Sequence, residues 1–273
     1  MVKHSSEEPP LLTGQEFFDR YIFESLNVDE VNLVKIILQG CLQILERGGT
    51  PHGQLLQDAF VIGFLGDRPH SFLDIGAGHP KLHSNTYNLE TYFGWQGVSV
   101  EPLIEYANLY LEIRKSIHFS NAVIPQAFAD ERIEKGLSMS GELVQASEVS
   151  RLSGFEQPED HWSAFRKRRL LISTPLITVN QIFDKCENTL GALSYLNIDI
   201  EGFESRVLKD VLERFGKTID ILTIEHQSLM VNREEFEKVM IGRDYLMISP
   251  RLSKWDAWYV SRDLAEERDL KIK

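Results

Sequence analysis

The chain has 273 residues, 42% of them hydrophobic, enough to fill one large core. Its formal net charge of −12 argues against a nucleic-acid partner, since phosphate binding needs a basic field across a face. The N-terminus has no apolar run for a signal peptide and no stretch approaches the roughly 20 apolar residues of a membrane span, so the expectation is a cytoplasmic protein with no membrane partner.

Residues 1–50 read as an N-terminal helical extension. Its first ten residues are polar and end in proline, the composition of a frayed end. Phe17, Phe18, Tyr21 and Ile22 recur at helical spacing, as do Val31, Val34, Ile37, Leu38, Cys41, Leu42 and Leu45. Two helices are predicted, the second stopped by Gly48-Gly49. Cys41 and Cys186 each stand alone among apolar or helical neighbours, which fits reduced buried thiols and neither a disulfide nor a zinc site.

From Ser71 the rhythm changes to short apolar runs: "SFLDIG", "GVSVEP", "SIHFSNAVI", "LSYLNIDIEG" and "IDILTIEHQ". Such runs read as parallel strands buried on both faces, with helices near 84–93, 103–115, 203–215 and 232–241 between them. The expected fold is α/β, a doubly wound, mostly parallel, Rossmann-like sheet. "YLMISP" and "DAWYVSRD" are joined too tightly for a parallel crossover, so a C-terminal antiparallel pair closes it. Between about 126 and 175 the sequence is polar and poorly periodic, and reads as a lid-like insertion.

In "FLDIGAG", a buried strand carries Asp74 and then turns through Gly76 and Gly78, where missing side chains let backbone approach a ligand. Glu101 follows at the end of the next strand, 25 residues after Gly76, placed to accept both hydroxyls of a ribose. NAD and S-adenosylmethionine share that need. The third position of G-x-G-x-x-G falls on Lys81, however, so the close helix approach that suits a pyrophosphate is missing. A phosphate-free cofactor fits better, and Asp74 could help hold the ammonium of S-adenosylmethionine.

The segments "GQLLQDAFVIGFLG", "FLDIGAGHP", "SNTYNLETYFGWQGVSVEP", "LSYLNIDIEGFESRVLKD", "LTIEHQ" and "WDAWYV" together resemble the FkbM family of S-adenosylmethionine-dependent methyltransferases, over roughly residues 53–260. The resemblance implies a class I methyltransferase domain over 51–273 and O-methylation of a hydroxyl on a sugar, polyketide or other natural product. It also implies that Asp74, Gly76, Ala77 and Gly78 line the methionine end, that Glu101 holds the ribose, and that Asn121 and Ala122 lie near the adenine. Asn85 of "SNTY" and Pro102 of "EP" complete the cofactor set. His79-Pro80 departs from the glycine that many methyltransferases carry there.

Removing the hydroxyl proton requires a base or a metal. Two strand ends supply candidates: Asp199 and Glu201 from "NIDIEG", Glu225 and His226 from "TIEHQ". Asp199, His226 and Glu201 are the candidate catalytic groups. Asp199, Glu225 and His226 are the candidate ligands of one divalent cation, magnesium or manganese, with Glu201 behind them or as an alternative ligand. Ordinary roles compete with these: Asp199 as a helix cap, Glu201 at a helix's positive end, His226 as a satisfied loop histidine. "FRKRRLL", with Arg166, Lys167, Arg168 and Arg169, is either a solvated surface run or a guide for an anionic small-molecule or glycan acceptor. Two other functions stay open, an NAD-dependent oxidoreductase and a non-catalytic binding module of the same fold. The oligomeric state has no signal in the sequence.

Overall fold

Seven strands, β1 (Ser71–Ile75), β2 (Gln96–Val100), β3 (Ile117–Phe119), β8 (Leu193–Ile198), β9 (Ile221–Glu225), β10 (Tyr245–Met247) and β11 (Asp256–Ser261), form the central sheet in the order β10-β11-β9-β8-β1-β2-β3. The structure is a computed structural model that describes residues 26–146, 149–152, 170–215, 219–226 and 230–270. From β3 through β9 all pairings are parallel, and β11 runs antiparallel to both β9 and β10. The reversed strand therefore slots between β9 and the edge strand, where a simple terminal hairpin would have placed it outermost.

Alternation along the strands divides two cores. On one face Leu73, Ile75, Leu196, Ile198, Leu222 and Ile224 meet α6 (Val179–Leu190), α7 (Glu204–Phe215) and α8 (Met230–Met240) through Ile182, Val207, Val211 and Phe236. On the other, Phe72, Tyr195, Ile221, Trp258 and Val260 meet α1 (Val28–Glu46), α2 (Gln57–Leu65), α3 (Tyr87–Phe93) and α10 (Arg262–Glu267) through Ile37, Phe60, Phe64, Leu89 and Leu264. The expected helices near 84–93, 103–115, 203–215 and 232–241 correspond to α3, α4 (Ile104–Ile113), α7 and α8.

The second predicted N-terminal helix is α1, opened by a capping box at Asn27 and Glu30. It lies hard against α2. A Cβ on Gly40 would meet the Ala59 carbonyl at 1.9 Å, and one on Gly63 the Ile36 carbonyl at 2.1 Å, so the crossing requires glycine on both helices. Helix α2 had no counterpart in the periodicity because all nine of its residues are buried, leaving no polar face to mark a period.

Two expectations are corrected. "SIHFSNAVI" is not one strand: β3 ends at Phe119, and β4 (Ala122–Ile124) pairs with a second sheet of order β4-β7-β5-β6. The 126–175 segment is regular where it is described. It contains α5 (Gln126–Glu134) and the antiparallel strands β5 (Ser140–Ala146), β6 (Val149–Leu152) and β7 (Leu170–Thr178). Strand β7 alternates, with Leu171, Ser173 and Pro175 exposed and Thr174 and Leu176 buried, but apolar and polar residues fall on both faces, which hides the period. The remaining short helix is α9 (Pro250–Ser253). The predicted helix around Phe17–Ile22 and the Arg166–Arg169 run lie outside the described residues. Cys186 is buried and Cys41 half-buried, both unpaired thiols. Among the described residues no helix is long and apolar enough to cross a membrane.

Candidate functional site

The carboxyl ends of β1, β2 and β8 are stitched together by backbone. Gly76 N and Ala77 N donate to the Val100 carbonyl at 2.9 and 3.1 Å, and Asp199 N donates to the Ile75 carbonyl at 2.8 Å. Gly76 takes a φ of +79°, and a Cβ there would stand 1.6 Å from the Asp199 carbonyl oxygen. Its missing side chain thus admits the neighbouring strand's backbone, while Gly78, at φ +57° with nothing near its Cβ position, faces open space. Beyond it, His79 Nδ1 accepts from Lys81 N and Leu82 N at 3.1 and 3.0 Å, so an imidazole closes the turn at the place where the sequence departs from a glycine.

Directly behind this rim, one cross-strand row reads Ser99, Asp74, Asn197, Thr223, every member buried. Thr86 Oγ1 donates to Asp74 Oδ2 at 2.7 Å and Asn197 Nδ2 to Asp74 Oδ1 at 2.9 Å. Asn197 Oδ1 accepts from Asn85 Nδ2 at 3.1 Å and Thr223 Oγ1 at 2.7 Å. Because Thr223 gives its proton to Asn197, the Tyr195 hydroxyl, 2.7 Å away, must donate to Thr223. Arg114 braces the other end: its guanidinium bonds Glu90 at 3.0 Å, the Pro80 carbonyl at 3.1 Å and Thr86 Oγ1 at 3.0 Å. Burial lifts Asp74 above the ordinary carboxylate range, against the Thr86 and Asn197 bonds and the Arg114 charge.

Glu101 stands at the end of β2, 5% exposed, and accepts from Leu103 N at 2.9 Å and Gly78 N at 3.0 Å. Burial raises it to about 7 against those bonds, with Asp74 and Glu105 adding in the same direction. Across the pocket, one oxygen each of Asp199, Glu201 and Glu225 lies within 4.8 Å of the others. Burial pushes Asp199 to about 7, against its hydrogen bond with Glu225 and with help from the Asp256, Glu204 and Asp74 charges. Glu225 is likewise held well above the ordinary carboxylate range, by burial and then by the Asp199 and Glu201 charges, so the hydrogen-bonded pair titrates as one unit. Glu201 reaches the group through a φ of +58°, a left-handed conformation uncommon outside glycine.

Two cavities meet over these groups. A narrow apolar slot of about 40 Å³ is lined by Val100, Pro102, Asn121, Ala122, Leu143 and Phe203. A polar chamber of about 280 Å³ is lined by Asp74, Ala77, Gly78, Asn85, Glu225 and Asp256, among others. Gly76, Glu101, Asp199 and Glu201 line both. The structure thus brings together at one rim Asp74, Gly76, Ala77, Gly78, Asn85, Glu101, Pro102, Asn121, Ala122, Asp199, Glu201 and Glu225.

His226 is the exception. Adjacent residues at a strand end point to opposite faces, and the 4% exposed His226 turns away, its Nε2–H donating to the Asp256 carbonyl at 3.1 Å. Burial lowers its pKa, which fits a neutral, structural imidazole. The carboxylates that gather here are those of Asp199, Glu201 and Glu225, and His226 is not among them. Sequence reading passed over Asn197, Thr86 and Arg114, which hold the site from behind. Asn197 sat inside the quoted "NIDIEG" as one polar residue in an apolar strand, and that anomaly was a usable signal.

A mostly parallel sheet in this order, with one reversed strand beside its edge and cavities over the carboxyl ends of the central strands, defines an α/β domain of the methyltransferase type. Residues 74–256, more than half of the chain, match the family model described as the methyltransferase FkbM domain, and the chain belongs to that family. Among solved structures it is similar to methyltransferase FkbM from Methylobacillus flagellatus KT, at 11% identity and a TM-score of 0.38, the match covering 85% of this chain and 60% of that one. Comparison with curated proteins gives no match.

Proposed function

We propose that this chain transfers the methyl group of S-adenosylmethionine to a hydroxyl of a saccharide or secondary metabolite. The observation that carries the reading is the sharing of Gly76, Glu101, Asp199 and Glu201 between an apolar slot and a polar chamber. Adenine is directed at the slot beside Asn121 and Ala122, which at about 40 Å³ has to widen to admit it. Its ribose reaches the Glu101 carboxylate, and the charged methionine end enters the chamber past Gly78 toward Asn85 and Asp74. The sulfonium then lies near the carboxylates of Asp199, Glu201 and Glu225.

There the acceptor oxygen attacks the methyl carbon, the carbon–sulfur bond breaks to leave a neutral thioether, and the hydroxyl proton passes to a carboxylate. In this reading Asp199 takes it, with Glu225 hydrogen-bonded beside it. The three carboxylates also fit a divalent cation: among the described residues no donor faces Glu225 Oε2, and an all-oxygen set suits magnesium or manganese. Bound there, such an ion would lower the hydroxyl's pKa.

Calorimetry tests the donor half. S-adenosylhomocysteine should bind wild type and lose about 1–3 kcal/mol with Glu101→Ala, the scale of a hydrogen bond to a charged group. Equal affinity in the two proteins would remove Glu101 from the site and the reading with it.

A further inference from the structure

The loop ahead of α2 belongs to no part of the family match, which begins at residue 74. Yet His52 and Gln54 join Leu82, His83, Glu225 and Trp255 around a third cavity, of about 750 Å³, beside the polar chamber. Gln54, Leu82, His83, Glu225 and Trp255 line both spaces, so one opens on the other across Glu225.

The loop is held rigid from beneath. Asp58, fully buried, accepts from His52 N at 2.7 Å, Gly53 N at 3.2 Å and Asn88 Nδ2 at 2.6 Å. Gln57, 4% exposed, accepts from Leu55 N at 2.8 Å and donates to Asp256 Oδ2 at 2.9 Å, tying the loop to the strand that follows Trp255. Gly53 packs closely against the start of α2: its Cβ would meet the backbone Gln57 N at 2.8 Å. A surface loop needs no buried carboxylate to stay folded, and holding one beneath it is unfavourable unless the loop's position matters. The His52 ring is itself positioned, edge-on to Tyr87 with centroids 5.1 Å apart.

Resting on the methyl-transfer reading, we propose that the His52–Gln54 loop and Trp255 form the acceptor subsite, and that it takes a pyranose ring. Lys254 Nζ stands 5.7 Å from the centroid of the half-buried Trp255 indole, and the face away from it is the apolar surface for the C–H face of a sugar. The imidazole of His52 and the amide of Gln54 supply directional hydrogen bonds to hydroxyls around the ring edge. Glu225, common to the subsite and the carboxylate cluster, marks the side from which one hydroxyl is presented for transfer. Burial lowers the His52 pKa, which leaves a neutral ring able to donate and to accept.

Saturation-transfer NMR with methyl glycopyranosides, on the full chain saturated with S-adenosylhomocysteine, tests this. Ring-proton signals should appear with wild type and fall at least fivefold in His52→Ala and Trp255→Ala. Trp255→Phe should restore most of them. The affinity of His52→Ala for S-adenosylhomocysteine should stay within twofold of wild type, since His52 lines neither the slot nor the polar chamber. Unchanged ring signals in both alanine variants, or no signal from any glycoside with wild type, would overturn the subsite. Failure of S-adenosylhomocysteine to bind wild type would instead overturn the donor reading, and calorimetry on the same samples tells the two apart.

Discussion

The carbonyl oxygen of Asp199 occupies the place where a side chain on Gly76 would have to go, 1.6 Å from its Cβ position. Two central strands therefore converge at the pocket floor more closely than any residue but glycine permits. Gly76→Ala should lose more than about 3 kcal/mol of stability, because a backbone clash adds to the positive-φ strain. Gly78→Ala, with a φ of +57° and open space around it, should lose only about 1–2 kcal/mol. Urea denaturation of the two variants checks the contrast, and equal losses would contradict the convergence.

Glu101 binds a proton in the folded chain up to about pH 7, whereas its ordinary value is 4.5. A raised carboxylate contributes stability that is full below pH 4.5 and is lost as pH climbs through 7. Glu101→Gln should therefore gain on wild type in melting temperature between pH 5 and pH 8. Buried histidines titrate in the opposite sense, so the difference between the two proteins is the quantity to follow. A constant gap would show that Glu101 does not titrate in this window.

Asp199 and Glu225, hydrogen-bonded side by side while they share a proton, repel one another once both are ionised. Asp199→Asn removes one charge, so the variant should melt higher than wild type at pH 8 while turnover falls about 10²–10⁴-fold, the usual share of a general base. Added magnesium should raise the wild-type melting temperature by mass action and leave that of Asp199→Asn unchanged. An equal rise in both proteins would place the ion elsewhere.

Arg114 and Glu90 form an ion pair at 3.0 Å whose side chains are 0% and 4% exposed. Arg114→Ala should lose about 3–5 kcal/mol, since a buried carboxylate is left without its cation. Replacing both, as Arg114→Met with Glu90→Leu, should recover much of the loss. S-adenosylhomocysteine binding would stay weakened, because Thr86 and the Pro80 carbonyl lose their brace.

The parts of this architecture written in runs were legible. Strands buried on both faces, such as β1 and β8, show as unbroken apolar stretches, and acids at their ends announce a pocket. Less legible was anything decided by contact between distant segments. Helix α2 is apolar all round, β4 leaves the central sheet for another partner, and of the expected antiparallel pair it is β11, not β10, that lies against β9. The same holds within the site. Asp199, Glu201 and Glu225 come from strand ends that could be read, but their gathering depends on β8 and β9 lying side by side, while the exclusion of His226 was signalled by its place next to Glu225.

The placement of β11 also sets an order of events during synthesis. When Glu225 leaves the ribosome, the outer edge of β9 has no neighbour, and it stays open until residues 256–261 arrive, after α8, β10 and α9 have been made. Until then Gln57, translated 199 residues earlier, lacks the Asp256 carboxylate that anchors it. A nascent chain stalled in that interval carries an unpaired, apolar strand edge, the kind of template on which chains aggregate. Premature stops between 226 and 255 should thus yield insoluble protein, more so than stops placed beyond Ser261.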